Sequence, residues 1–300
     1  MLNGNIYHGE QGYIDLMRDI LERGVDVPDR TGVGSRAMFD AKVVYAPGEF
    51  PFSTVRPASA RLAFEEFWFF MSGSTQTKRL EEKKVFFWQG NTTREFLDKR
   101  GLSHLDEGDM GMAYGHQLRS FNKGIVDDPK HVVDQLRDVY ETLKSDPYSR
   151  RVFTTLWNPS ASPYMALTPC WHSHQFVVLP DEQGKDTLHL KMVNRSLDAC
   201  FGAQFALQQY RMYQMCLCKL LGFELGSLSA DLTQVHLYAN QLAYVEEILT
   251  RDLGVPGTIS LTADIATFED MLALSWDDWE ITGLQVNYAP MQTPRPPMAA

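Results

Sequence analysis

Cysteine is scarce in this chain: four residues among 300, at Cys170, Cys200, Cys216 and Cys218. So few, spaced so unevenly, exclude the disulfide framework of a small secreted scaffold, and they are expected as reduced thiols serving packing or chemistry. Positive charge is also short. Lys and Arg total 28 against 38 Asp and Glu, a formal net charge of -10, which excludes the broad basic surface that a polynucleotide groove requires. Nucleic acid is therefore not an expected partner. No apolar run approaches the roughly 18 residues of a membrane helix, and the opening MLNGNIYHGEQ lacks the basic-then-apolar pattern of a secretory leader. The expectation is a cytoplasmic protein without membrane contact. Repeats and Gly/Ser linkers are missing too, so residues 1–300 read as a single domain. What remains, 44% hydrophobic and 22% charged, is the composition of a globular chain with a sizeable core and not of a fibrous or disordered one.

Periodicity predicts helices over Tyr13–Arg23, where Ile14, Met17 and Leu21 form one stripe, and over Arg61–Met71, Thr93–Lys99 and His131–Lys144. The last should stop before Pro147. Between Asp29 and Gly34 the two glycines permit positive φ. Strands are predicted at Met38–Tyr45, Arg151–Trp157, His172–Leu179 and Thr187–Asn194, the last two joined by the turn Asp181–Gly184. A long helix over Phe205–Leu221 should bury a stripe of Met212, Met215, Cys216 and Leu220. Strands and helices mixed without strict alternation imply an α+β fold.

An acidic protein can still hold one phosphate with a local arginine cluster, and Arg150-Arg151 and Asn194-Arg195-Ser196 suit that task, although adjacent arginines are more often a solvated face. Cys170 opens a strand after Pro169, where a thiol can be held rigidly beside a cleft; nearby guanidinium groups would favour its thiolate. A lone cysteine is more often a small buried hydrophobe, and Cys216 and Cys218 fit that reading. His172 and His174 share a strand face with Cys170 and could hold zinc. With no further spaced Cys or His pair nearby, no metal site is expected. Glu65-Glu66 sits among Phe64, Phe67, Trp68, Phe69 and Phe70, surroundings that raise a carboxyl pKa toward the range useful for proton transfer.

Pro147-Tyr148-Ser149-Arg150-Arg151, Leu156-Trp157-Asn158-Pro159, Met165 through Cys170, Asn194-Arg195-Ser196-Leu197-Asp198 and His236-Leu237-Tyr238-Ala239-Asn240 stand in an order and spacing that resembles the thymidylate synthase superfamily. Asp29-Arg30-Thr31-Gly32 and Gly108 through Gly115 fit too, and the resemblance covers about residues 10–290. It implies a homodimer of α+β subunits with shared active sites, a mixed β-sheet at the dimer interface and helices around it. The implied reaction moves a one-carbon unit from 5,10-methylenetetrahydrofolate to C5 of a pyrimidine nucleoside monophosphate.

Carried over position by position, the resemblance makes Cys170 the nucleophile that adds to C6. Arg30, Arg195 and Ser196 become phosphate ligands, and Arg150 with Arg151 reach into the partner's site. Glu66, rather than Glu65, handles protons at the ring's 4-position, and Tyr114 helps deprotonate C5. His236 and Tyr238 bind the sugar hydroxyl, while Asn194, Asp198, Trp171 and Ala206 line the sugar and base region. Trp88, Asn91, Asp198 and Gly202 match folate positions, and Pro297-Met298-Ala299-Ala300 look like the tail that closes over folate.

Departures decide the substrate question. The family's Pro-Phe-Asn, whose asparagine pairs with N3-H and O4 of uracil, reads Gln204-Phe205-Ala206 here. Alanine has no amide, so rejection of cytosine should fall. Trp171 replaces the usual histidine after the nucleophile, Gln89 an aspartate, and Leu118 a tryptophan. Relatives acting on deoxycytidylate typically carry aspartate at the asparagine position, so Ala206 matches neither subgroup. Three readings follow: a dCMP 5-hydroxymethylase or 5-methylase, as the leading one; an enzyme of dUMP; and a non-enzymatic nucleotide- or RNA-binding regulator. Retention of Cys170, Glu66, Tyr114 and the phosphate arginines speaks against the third. Methyl or hydroxymethyl product, and ribose or deoxyribose, stay open, although His236 and Tyr238 favour the deoxy form.

Overall fold

Along Asp186–Asn194, Leu188, Leu190 and Met192 are buried while His189, Lys191 and Val193 stay partly exposed, so one face of this strand meets a core and the other does not. In the computed structural model, which describes residues 5–288 and 290–297, that strand lies inside a mixed sheet. Its strands are β1 (Asn5–His8), β2 (Val25–Val27), β3 (Ser35–Tyr45), β4 (Phe153–Thr155), β5 (Trp171–Pro180), β6 (Asp186–Asn194), β7 (Leu197–Asp198) and β8 (Glu224–Tyr238). They run in the order β1-β3-β8-β6-β5-β4, with β2 beside β3 and β7 beside β8; β9 (Thr258–Leu261) and β10 (Trp279–Thr282) pair separately. β8 is antiparallel to β3 and parallel to β6.

The helices are α1 (Gly9–Arg23), α2 (Ala60–Met71), α3 (Lys78–Glu82), α4 (Arg94–Lys99), α5 (Tyr114–Arg119), α6 (Gln135–Ser145), α7 (Gly202–Leu221), α8 (Leu242–Ile248) and α9 (Phe268–Leu272). The α+β expectation holds. α7 packs on β6, β7 and β8, α1 on β3, and α2 lies against α7. The opposite sheet face is more open: Leu179 is 54% exposed, and Lys42 and Lys191 both pair with Asp231 there. No helix among the described residues is long and apolar enough to cross a membrane.

Several boundaries differ from the sequence reading for local reasons. The helix expected from His131 starts at Gln135, because the Asp134 side chain accepts from Arg137 N–H and caps it there. The strand expected over Arg151–Trp157 shrinks to β4, since the Asn158 side chain folds the following chain into a turn by accepting from the Ser160 and Ala161 amides. β8, fifteen residues long, has no counterpart among the predicted strands. The single stripe expected on the long helix is only partly buried: Met212 and Cys216 lie in the core, whereas Met215 and Leu220 stay partly exposed. Wedged between sheet and α2, α7 also buries Gln204, Gln208, Gln209, Arg211 and Gln214. Arg211 donates to the Glu49 and Gly226 carbonyls at 2.8 and 2.6 Å, and Gln214 to the Leu188 carbonyl at 2.7 Å, so the buried polar groups of this pair tie helix to sheet.

Candidate active site

Where the amino end of α7 faces α2 and the start of β5, the fold leaves a cleft of about 540 Å³. Cys170 lies half-buried on its wall, one residue before β5. Its N–H donates to the Tyr114 hydroxyl at 3.0 Å, and its carbonyl accepts from Arg195 N–H at 3.0 Å. Burial pushes the thiol up, against the opposing pull of Arg195, the Tyr114 hydroxyl and Arg30. The arginines thus act in the expected direction but do not outweigh desolvation.

Glu66 is the glutamate that faces the cleft, and it lies on α2, whose start Ser59 caps by accepting from Leu62 N–H. Trp88 Nε1 donates to Glu66 Oε1 at 2.7 Å and Gln209 Nε2 to Oε2 at 2.5 Å. Burial raises the carboxyl to about 7 despite both donors, which keeps it exchanging protons near neutrality. Tyr114 stacks on Phe70 with ring centres 4.8 Å apart and meets Trp88 edge-on; burial drives its hydroxyl well above the ordinary range.

Beside Cys170, Arg195 is fixed by the Pro169 carbonyl at 2.9 Å and by Thr168, leaving Nη2 3.8 Å from Cys170 Sγ. Arg30 is exposed on the loop ordered by Asp29, whose carboxylate accepts from the Thr31 and Gly34 amides; Gly32 and Gly34 adopt positive φ, 76° and 79°. Ser196 lines the cleft. His236 meets Tyr238 edge-on at 4.9 Å, and burial lowers the imidazole while pushing the phenol up to about 12. Asp198 joins these elements: Oδ1 accepts from the Cys200 amide at 2.8 Å and Oδ2 from Gln241 Nε2 at 2.9 Å.

The structure brings Cys170, Glu66, Tyr114, Trp88, Trp171, Ser196, Asp198, Gly202 and Ala206 to one cleft. Eight expected residues are not among its lining: Arg30, Arg195, His236 and Tyr238, described above, and Asn91, Asn194, Arg150 and Arg151. Asn194 is wholly buried at the end of β6, with neither amide atom hydrogen-bonded among the described residues, because the sheet carries its side chain into the core. Asn91 is buried in the short turn after Trp88. Arg150 and Arg151 are exposed beside β4 and are not among the residues that line this cleft. His174 stacks on Tyr210 at 4.0 Å and is held neutral by burial, and no metal-holding group of three His, Cys, Asp or Glu occurs among the described residues. The bulge between Trp171 and Ser173 breaks the simple alternation on which the zinc idea rested.

The sequence reading missed Gln209, three residues after Ala206 and therefore on the same helix face. It also missed Arg295, which lies over the Phe201 ring at 5.0 Å and closes one side of the cleft with Pro296 and Pro297. Met298, Ala299 and Ala300 of the expected tail lie outside the described residues. Phe87, Trp88, Phe201 and Phe205 give the cleft flat apolar walls, which suit a planar aromatic co-substrate such as a folate.

A family model described as thymidylate synthase matches residues 11–300. Thymidylate synthase of equine herpesvirus 2 is 36% identical over 251 residues, covering 82% of this chain and 85% of that protein. Human thymidylate synthase is 32% identical over 281 residues, covering 92% and 87%. The probable thymidylate synthase of Schizosaccharomyces pombe is 34% identical over 283 residues, but the chain spans only 45% of its length.

Proposed function

The chain belongs to the thymidylate synthase family, the folate-dependent one-carbon transferases, and we propose that it moves the one-carbon unit of 5,10-methylenetetrahydrofolate to C5 of dCMP. Cys170 adds through sulfur to C6 of the ring, which makes C5 nucleophilic toward the folate-borne carbon. Glu66 exchanges a proton at the 4-position, and Tyr114 assists removal of the C5 proton. Loss of that proton expels the folate nitrogen from the transferred carbon and leaves an exocyclic methylene; hydride or water then adds to that carbon as the C6–S bond breaks and the thiolate is released. Arg195, Arg30 and Ser196 hold the phosphate, with Arg150 and Arg151 supplied by a second copy across the open sheet face, in a homodimer of single-domain subunits. Four unpaired thiols accord with a cytoplasmic setting.

The observation that carries the base assignment is Ala206, buried in the cleft wall without a side-chain amide to pair with uracil. Product balance separates two chemistries: a methylase takes hydride from the folate and leaves dihydrofolate, whereas a hydroxymethylase adds water and leaves tetrahydrofolate. We take hydroxymethylation as the leading reading. A second reading, dUMP as substrate, is favoured by the relatives, which are named thymidylate synthases. Incubation with dCMP, dUMP, CMP or UMP plus the folate, followed by product mass and dihydrofolate absorbance, tests both. Turnover of dUMP alone overturns the cytosine assignment.

A further inference from the structure

Ala206 removes an amide from the cleft, and α7 returns one a single turn later. Gln209 lies at i+3 from Ala206, and both line the same cleft. The Gln209 side chain cannot point freely. Its Nε2 donates to Glu66 Oε2 at 2.5 Å, while the other carboxylate oxygen is taken by the Trp88 indole. In its ionised form the carboxylate only accepts, and that form takes the NH2 end of Gln209. The carbonyl Oε1 receives no donor among the described residues. A carbonyl that lies at a substrate cleft without a protein donor gains from a ligand N–H.

We propose that Gln209 is the specificity residue that reads the pyrimidine 4-position, presenting its tethered Oε1 as an acceptor for an exocyclic amine. Cytosine offers such an amine, whereas uracil places a carbonyl there, acceptor against acceptor. The inference rests on the proposed assignment of a pyrimidine nucleotide to this cleft. It adds a positive selection for cytosine to the loss of selection for uracil at Ala206. Glu66 acts here as the clamp that orients the amide, so one carboxylate serves both proton exchange and base choice.

The test compares the wild type with Gln209→Met, of similar length but without an amide, by calorimetric Kd for dCMP, dUMP and deoxyribose 5-phosphate on the intact protein. We expect the Kd ratio of dUMP to dCMP to fall about 10- to 100-fold, with deoxyribose 5-phosphate binding unchanged because it has no base. A fall of less than threefold, or a rise, with deoxyribose 5-phosphate binding intact, overturns the proposal. A role confined to positioning Glu66 would lower kcat for both nucleotides alike and leave the Kd ratio unmoved, which is the same overturning result. Loss of deoxyribose 5-phosphate binding would mark a misfolded variant, and Gln209→Leu then carries the measurement under the same criteria. Wild-type preference for dUMP would count against the cytosine assignment. The fall in ratio between wild type and variant is scored separately, so failure of either idea is visible on its own.

Discussion

The Tyr114 hydroxyl accepts the Cys170 amide hydrogen at 3.0 Å. A residue from α5 is thereby fixed against the turn that opens β5, and the phenol oxygen is held beside the thiol. The phenol's own proton remains available to the cleft, because the hydroxyl is an acceptor in this bond.

Cys170→Ser should abolish turnover, since a hydroxyl is a far poorer nucleophile than a thiolate at neutral pH. Nucleotide Kd should stay within about threefold, because Arg195 and Arg30 do not need the sulfur. Near-normal turnover would refute covalent catalysis through this residue.

Trp88→Phe removes the donor to Glu66 Oε1 while keeping an aromatic wall. A donor to a carboxylate favours its ionised form, so the variant's carboxyl should titrate above about 7. The limb of the kcat/KM profile that reports Glu66 should move to higher pH by about one unit. A profile superimposable on that of the wild type would show that the bond does not tune the group.

Glu66 also links stability to pH. Its folded value of about 7 lies above the ordinary 4.5, so the native state holds the proton more tightly than the unfolded chain. That contribution is fully present below pH 4.5 and is lost as pH rises toward about 7. Urea unfolding at the two ends of this window should show the wild type losing up to about 3 kcal/mol relative to Glu66→Gln, which cannot titrate. Parallel pH dependence in the two proteins would contradict it.

Ala206→Asn should shift preference toward dUMP by restoring partners for N3-H and O4. The ratio of kcat/KM values should change by roughly 10- to 1000-fold. Trp171, buried in the same wall, can displace the ring and shrink the effect. An unchanged ratio would remove Ala206 from base selection.

Arg151→Ala and Cys170→Ser chains, each inactive alone, should regain activity when mixed, because one site of each heterodimer would then be intact. Exposure of Arg151 away from its own cleft motivates the test. Inactive mixtures in which heterodimers demonstrably form would exclude a shared site.

The family and much of the proposed chemistry were legible in the linear chain. Cys170 after Pro169, Arg195-Ser196, Tyr114 and Glu66 stand in short ordered motifs, and the long amphipathic or apolar segments announced α1, α2, β5 and β6. Local signals ran out where a boundary depends on one side chain, as with the Asp134 cap. They also ran out where neighbours override pattern. β8 intersperses Ser227, Ser229 and Asp231 with buried Leu228, Ala230 and Leu232, and it becomes a central strand through pairing with β3 and β6, contacts distant in the chain. Asn194 was singled out by its place in Asn194-Arg195-Ser196, and the pleat of β6 turns its side chain into the core.

By itself, then, the amino-acid order determined the family and the missing amide at Ala206, and it supplied the proposed nucleophile, because each is a matter of residue identity at a spaced position. Only the tertiary structure decided what replaces that amide. Whether Gln209 meets Glu66 depends on α2 lying against α7, a packing that joins residues far apart in sequence. The same packing desolvates the carboxyl and raises its pKa, since burial is a property of the assembled core and not of any stretch of chain.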